Sequence, residues 1–255
     1  MIDIHAHILP GVDDGPNTIE ESMEIIKLAI EEGITDIIAT PHVYNPHYNV
    51  PAELVYEKIN LLTLEINKYE LPITIHAGQE IRIQHSTVEK LSDGEILALA
   101  KSRYVLIELP NDGIPLYTEQ VIQRIIQLDK IPVIAHPERN RIIANNPQHL
   151  MKLINNGAIA QITAGSVAGH FGKNVQKTSL QLVDNNLVHA YGSDVHSLKN
   201  RPLLFDEGLS YLEKHKRLDA VDIFLENNFR ILNNREAIIL ELGEIPPSKW
   251  RKIFH

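Results

Sequence analysis

His5 and His7 stand two residues apart in the apolar opening segment Ile2–His7, where a two-residue repeat turns both imidazoles to one face of a strand. Glu80, Glu108, His136 and Asp194 fall at or near the ends of four other β-branched runs. His42 follows a fifth directly, in Thr40-Pro41-His42, and His196 comes two residues after Asp194. Asp14 lies in the loop Gly11-Val12-Asp13-Asp14-Gly15 that leaves the first segment. Imidazoles and carboxylates without a thiolate are the donors that divalent zinc, manganese or iron takes. Nine donors exceed the roughly four to six of one ion, so two or three ions sharing bridging carboxylates are expected.

Each residue alone has a plainer explanation, because a strand-end His is more often a hydrogen-bonded structural residue than a ligand. The joint placement at six of seven strand ends favours a metal centre. His47, His85, His149, His170, His215 and His255 fall in helices, loops or the tail and are expected on the surface; His76 and His189 lie inside strands and are expected in the core or behind the ligands. Asp3, in step with His5 and His7, is expected to orient a ligand imidazole. Four clustered carboxylates with three divalent ions and a hydroxide leave a slightly positive site, suited to an anion. Arg139, three residues past His136, and Arg201, five past His196, could fork onto phosphate oxygens from rim loops, the alternative for each being a surface ion pair.

Convergence of residues so distant in sequence requires a scaffold that brings strand ends together. Strand-like runs at Ile2–His7, Asp36–Thr40, Ile73–Ile81, Tyr104–Leu109, Ile131–His136, Ala158–Thr163 and Val188–Asp194 alternate with segments of helical period. Those segments run from about Thr18 to Gly33, Ala52 to Tyr69, Pro115 to Asp129, Pro147 to Asn156 and Asn174 to Asn186. Strands separated by helices imply a parallel sheet, and seven such units without a linker favour one closed or nearly closed β/α barrel over an open doubly wound sheet. All strands of such a barrel end at one rim, where active sites are built. The expectation is a single domain over 1–255, with 215–255 as a C-terminal helical extension.

Composition bounds the rest. The 255 residues are 44% hydrophobic and 22% charged, enough apolar mass for a substantial core, and no apolar run approaches the roughly 18 residues of a membrane span. The His-bearing, acidic opening is not a secretory signal, and the absence of Cys removes disulfides, thiolate zinc sites and cysteine nucleophiles, so a cytoplasmic protein is expected. Of the net charge of -9, most lies in residues 1–50, where nine acidic residues face Lys27 alone. That region repels phosphate backbones, which argues against nucleic acid as a partner.

The run Met1-Ile2-Asp3-Ile4-His5-Ala6-His7-Ile8-Leu9-Pro10-Gly11-Val12-Asp13-Asp14-Gly15-Pro16 resembles the opening of the bacterial manganese-dependent tyrosine-protein phosphatases of the polymerase and histidinol phosphatase (PHP) superfamily, associated with capsule and exopolysaccharide synthesis. The resemblance continues through Ala39-Thr40-Pro41-His42, Gly78-Gln79-Glu80, Ile107-Glu108, Ile134-Ala135-His136-Pro137-Glu138-Arg139 and Ser193-Asp194-Val195-His196, in order, with every ligand position present. It implies a distorted (β/α)7 TIM-like barrel holding three metal ions, usually Mn2+. His5, His7, Glu80 and Asp194 would hold one; Glu80 would bridge to a second, shared with Glu108 and His136; Asp14, His42 and His196 would hold the third. It also implies dephosphorylation of the tyrosine-rich tail of a partner bacterial tyrosine kinase, by a metal-bound hydroxide, with Arg139 and Arg201 on the phosphate. The nearest rival is hydrolysis of a small phosphomonoester such as histidinol phosphate. An exonuclease is disfavoured by the acidic N-terminal region, and a non-catalytic kinase-binding module by the full ligand set.

Overall fold

The β-branched runs form strands in the computed structural model, which describes residues 1–243. These are β1 (Ile2–Ala6), β2 (Asp36–Ala39), β3 (His42–Val43), β4 (Thr74–Ala77), β5 (Glu80–Arg82), β6 (Tyr104–Glu108), β7 (Ile131–Ala135), β8 (Ile159–Thr163) and β9 (Ala190–Gly192). Between and after them come helices α1 (Ile19–Glu31), α2 (Ala52–Lys68), α3 (Thr87–Ser92), α4 (Thr118–Gln127), α5 (Arg141–Asn145), α6 (Gln148–Asn155), α7 (Ala164–Ala168), α8 (Lys173–Asp184), α9 (Phe205–Lys214) and α10 (Leu218–Leu232). The α1 start follows its sequence signals: Thr18 Oγ1 accepts from Glu21 N, and Glu21 Oε2 accepts from Asn17 N.

All strand pairs are parallel, in two ladders ordered β1-β2-β4 and β3-β5-β6-β7-β8-β9. The chain runs from β2 into β3 across Thr40-Pro41 and from β4 into β5 across Gly78-Gln79, so the ladders follow one another along shared strand lines. At the other end, β1 meets the residues just past β9: Ala6 bridges Val195, His7 N donates to Val195 O and Asp194 N donates to His5 O. Seven strand positions thus follow one another around a distorted α/β ring whose hydrogen bonding is divided between two ladders.

That division corrects one expectation. The single strand anticipated over Ile73–Ile81 is broken at Gly78, whose backbone passes so close to β2 that a Cβ there would lie 2.9 Å from Ile38 Cγ2. Gln79 is turned away from the ladder to donate to Val50 O and accept from Leu97 N. Glu80 therefore opens a second short strand rather than closing the first.

One apolar cluster fills the space between strands and helices, with Ile37, Val105, Ile107 and Ile134 against Met23, Ile26, Ile122 and Leu182. A second draws Ile4, Ile38, Leu106, Val133 and Ile159 from strands around the ring and floors it below the strand ends. Part of the anticipated C-terminal extension belongs to this scaffold. On α10, Asn228 donates to Ile2 O and Tyr191 O, and Asn227 to His189 O, so this helix clamps β1 to β9. Residues 233–243 are not helical, and 244–255 lie outside the described residues.

Candidate metal centre

The nine predicted donors meet at one rim. The Nε2 atoms of His5 and His7 are 3.4 Å apart; Glu80 Oε2 lies 3.6 and 3.3 Å from them, and Asp194 Oδ1 lies 3.4 and 3.6 Å from them. Donors at the corners of a tetrahedron with bonds of about 2.1 Å stand about 3.4 Å apart, so His5, His7 and Glu80 have the spacing of a coordination shell, and Asp194 meets both imidazoles at a similar distance. Around it, Asp14 Oδ1 lies 3.4 Å from His42 Nε2 and 3.2 Å from His196 Nε2. His42 Nδ1 is 3.0 Å from Glu80 Oε2 and 4.0 Å from Glu108 Oε2. His136 Nε2 contacts Glu80 Oε1 at 2.6 Å and also groups with His5 and Asp194. The grouping differs from the one implied by resemblance, since Glu108 associates with His42 and Glu80, and His136 with His5 and Asp194.

Backbone geometry aims two of these side chains. His136, directly after β7, and Asp194, two residues past β9, have φ of 33° and 54°, left-handed values that non-glycine residues adopt at a cost of about 1–3 kcal/mol where surrounding structure enforces them. Gly192 lets β9 approach the site, because a Cβ there would lie 2.8 Å from His5 Cβ and 3.0 Å from Gln161 Nε2.

The residues behind the ligands differ from expectation. Asp3, expected to orient a ligand imidazole, makes no hydrogen bond to a ring nitrogen among the described residues. Asp3 instead accepts from His5 N, Ser193 N and Ser193 Oγ, tying β1 to the Asp194 loop. Imidazole orientation comes from Asp13, whose Oδ2 accepts from His7 Nδ1 at 2.8 Å, and from Gln161, whose Oε1 accepts from His5 Nδ1 at 2.9 Å. Each bond fixes the proton on Nδ1 and leaves the Nε2 lone pair facing the centre. Gln161 had a signal, a polar residue inside the apolar run Ile159-Ala160-Gln161-Ile162. Arg82 carried none, yet it forks onto Glu108 at 2.9 and 3.0 Å.

Burial disfavours charge throughout the cluster, and neighbours decide the outcome. Burial lowers His7, but the charge and hydrogen bond of Asp13 together with the hydrogen bond to Glu80 raise it to about 9. His42 rises to about 11 against its burial, through Glu80 and Asp14. Burial takes His136 and His196 down to about 4, assisted by the charges of Arg139 and His7 respectively. Burial and the adjacent Glu80 push Glu108 up to about 7. Although burial opposes it, the imidazoles hold Glu80, and Arg139 with Arg201 hold Asp194, well below the usual carboxylate range. His42 Nδ1, Glu80 Oε2 and Asp194 Oδ1 are buried without a hydrogen-bond partner. Buried nitrogen and oxygen atoms without partners, set among the grouped imidazoles and carboxylates, fit divalent cations.

The centre opens into a cavity of about 560 Å³ lined by Asp14, His42, Glu80, Glu108, His136 and the guanidinium groups of Arg82, Arg139, Arg141 and Arg201. Arg139 and Arg201 both donate to Asp194 Oδ2, and Arg201 Nη1 also donates to His196 Nε2 at 2.8 Å. These are ion pairs with the centre itself rather than with the outer surface. His47, expected simply on the surface, is exposed at this cavity's mouth beside Tyr48. His85, His149, His170 and His215 are exposed and His255 lies outside the described residues; His76 pairs with Asp36, and buried His189 accepts from Ala160 N, away from the centre.

Residues 1–233 match the family described as capsular polysaccharide synthesis, CpsB/CapC. The chain is 41% identical over 254 residues to tyrosine-protein phosphatase YwqE of Bacillus subtilis (strain 168), covering 100% of this chain and 99% of that protein. It is 32% identical over 239 residues to tyrosine-protein phosphatase CpsB of Streptococcus pneumoniae, covering 91% and 98%. A crystal structure from a study of YwqE and CpsB, described there as metal-dependent tyrosine phosphatases, superposes with a TM-score of 0.93 and 40% identity over 96% of this chain and 100% of that one. An amidohydrolase from Mycoplasma synoviae, 12% identical, shares the fold at a TM-score of 0.58 over 97% and 90% of the two chains.

Proposed function

The chain belongs to the CpsB/CapC family, and on that premise we propose that it is a metal-dependent protein-tyrosine phosphatase whose metal ligands are His5, His7, Asp14, His42, Glu80, Glu108, His136, Asp194 and His196. The observation that carries the chemistry is the pair of His5 and His7 imidazoles with a Glu80 and an Asp194 oxygen each 3.3–3.6 Å from both, within a cluster that shares His5, Glu80 and His42 between groups. Manganese is the proposed ion on the strength of the family resemblance, since imidazoles and carboxylates by themselves would equally suit zinc or iron. Such ions supply Lewis acidity toward phosphoryl oxygens and a nucleophilic oxygen from water near neutral pH.

The protein's own groups do the rest. Asp13 and Gln161 hold two imidazoles in the tautomer that presents Nε2. Arg139 and Arg201 stand at the cavity wall, where their forks can take phosphoryl oxygens and oppose the charge that grows in the transition state. The phenolic leaving group, of ordinary pKa about 10, needs less protonation than an alkoxide. No Cys exists to form a phosphocysteine. The proposed substrate is the phosphorylated tyrosine-rich tail of a bacterial tyrosine kinase, met on the cytoplasmic side; among the described residues, no helix is long and apolar enough to cross a membrane.

The test is to assay a phosphotyrosyl peptide against histidinol phosphate, after chelation and after Mn2+ is returned. The proposal expects turnover of the peptide that vanishes on chelation and recovers with manganese. A large preference for histidinol phosphate would remove the protein substrate and leave a small-molecule phosphatase.

A further inference from the structure

A second concave region of about 570 Å³ adjoins the metal cavity and shares Asp14 and Arg201 with it. One wall is α1, which contributes Glu21, Glu24 and Ile25; the opposite wall is the Ser197–Asn200 loop, which contributes Leu198, 41% exposed, and Lys199. Glu21 is occupied in capping α1 through Asn17 N. The side chains of Glu24 and Lys199, by contrast, make no hydrogen bond or ion pair with any described residue, and both are exposed. The cavity's other rim differs, because its exposed charges Arg141 and Asp112 pair with each other at 3.0 Å.

We propose that this groove binds the polypeptide on one side of the phosphotyrosine, with a basic substrate residue against Glu24, an acidic one against Lys199 and an apolar side chain over Leu198. The inference rests on the phosphotyrosine reading and specifies the sequence context of the substrate. A tyrosine side chain reaches into the cavity while its main chain stays at the rim, so flanking residues must lie along a surface continuous with Arg201. The groove is the continuous surface with unspent charges of both signs, and such charges set which partner is accepted more than how tightly it is held.

The experiment compares kcat/KM for two manganese-dependent substrates, phosphotyrosyl peptides carrying either Lys or Glu at the flanking positions on each side in turn. On one side, the wild type is expected to prefer the Lys peptide by about threefold or more at low salt, with the preference fading as salt rises. Glu24→Lys is expected to reverse that ratio, and Lys199→Glu to shift the ratio for the position facing the other wall. If the ratios on both sides are near one, or Glu24→Lys leaves them unchanged, the groove does not hold the substrate chain. Turnover of p-nitrophenyl phosphate by the manganese-loaded wild type separates the two readings: with turnover and no peptide preference the groove alone fails, whereas no turnover removes the phosphatase reading beneath it.

Discussion

Asp13 illustrates how the centre is built one residue at a time. It accepts from His7 Nδ1, His42 N and Gly15 N, so a single carboxylate fixes one ligand ring and the backbone of another. Asp13→Ala is expected to weaken divalent-ion binding about 10- to 100-fold, read by metal titration, while the fold persists. The same pairing dictates a pH dependence. His7 and His42, raised to about 9 and about 11, carry protons at neutral pH when no cation competes, and an ion must displace them. Apparent Mn2+ affinity is therefore expected to climb between pH 6 and pH 9, with proton release visible by calorimetry in buffers of different ionisation enthalpy. Affinity independent of pH over that range would show that these imidazoles are not ligands. Removing Arg139 by substitution with Ala is expected to lower kcat/KM about 100-fold or more, with bound metal retained. That the nine proposed ligands would gather was legible in the sequence because few residue types hold such ions. The roles of Asp13 and Arg82 were not, and Gln161 stood out only as a polar residue in an apolar run, since each is defined by a hydrogen bond to a ring or carboxylate whose position only the fold supplies.

Elements place those residues, and the strand ends matter more than the strands. His7, His136 and Asp194 all lie just beyond their strands, two of them in left-handed backbone. Alternating apolar runs and helical periods revealed every strand line and the five principal helices expected between them. They did not reveal the break at Gly78, because it lies where the backbone passes against the side chains of Ile38, Leu99 and Thr40, which only the fold brings there. Nor did they show that Asp3 serves the β1–β9 joint, because Ser193, 190 residues away, is brought beside it only by the fold. Gly192 is the sharpest probe at this scale. Gly192→Ala drives a methyl into His5 and Gln161 and is expected to cost about 1–3 kcal/mol in thermal or denaturant unfolding and to weaken metal binding at the same time. Loss of stability without loss of metal affinity would mean that His5 is not held from β9.

At the scale of the molecule, two apolar clusters hold a ring of strands rigid enough to keep buried imidazoles and carboxylates within contact of one another. The architecture was readable as seven β/α units, but the role of α10 was not, because nothing in the sequence says that Asn228 reaches Ile2, nearly the whole chain away, or that Asn227 reaches His189 beside β9. A scaffold that concentrates this much unpaired polarity gains stability from the ions it binds, so chelation is expected to lower the melting temperature. The central claim is that nine residues from across the chain grip several cations together. Elemental analysis of the manganese-loaded protein after exhaustive removal of free metal tests it most directly. Two to three ions per chain in the wild type, falling by at least one in His136→Ala, is the predicted result; one ion or fewer per wild-type chain would contradict it.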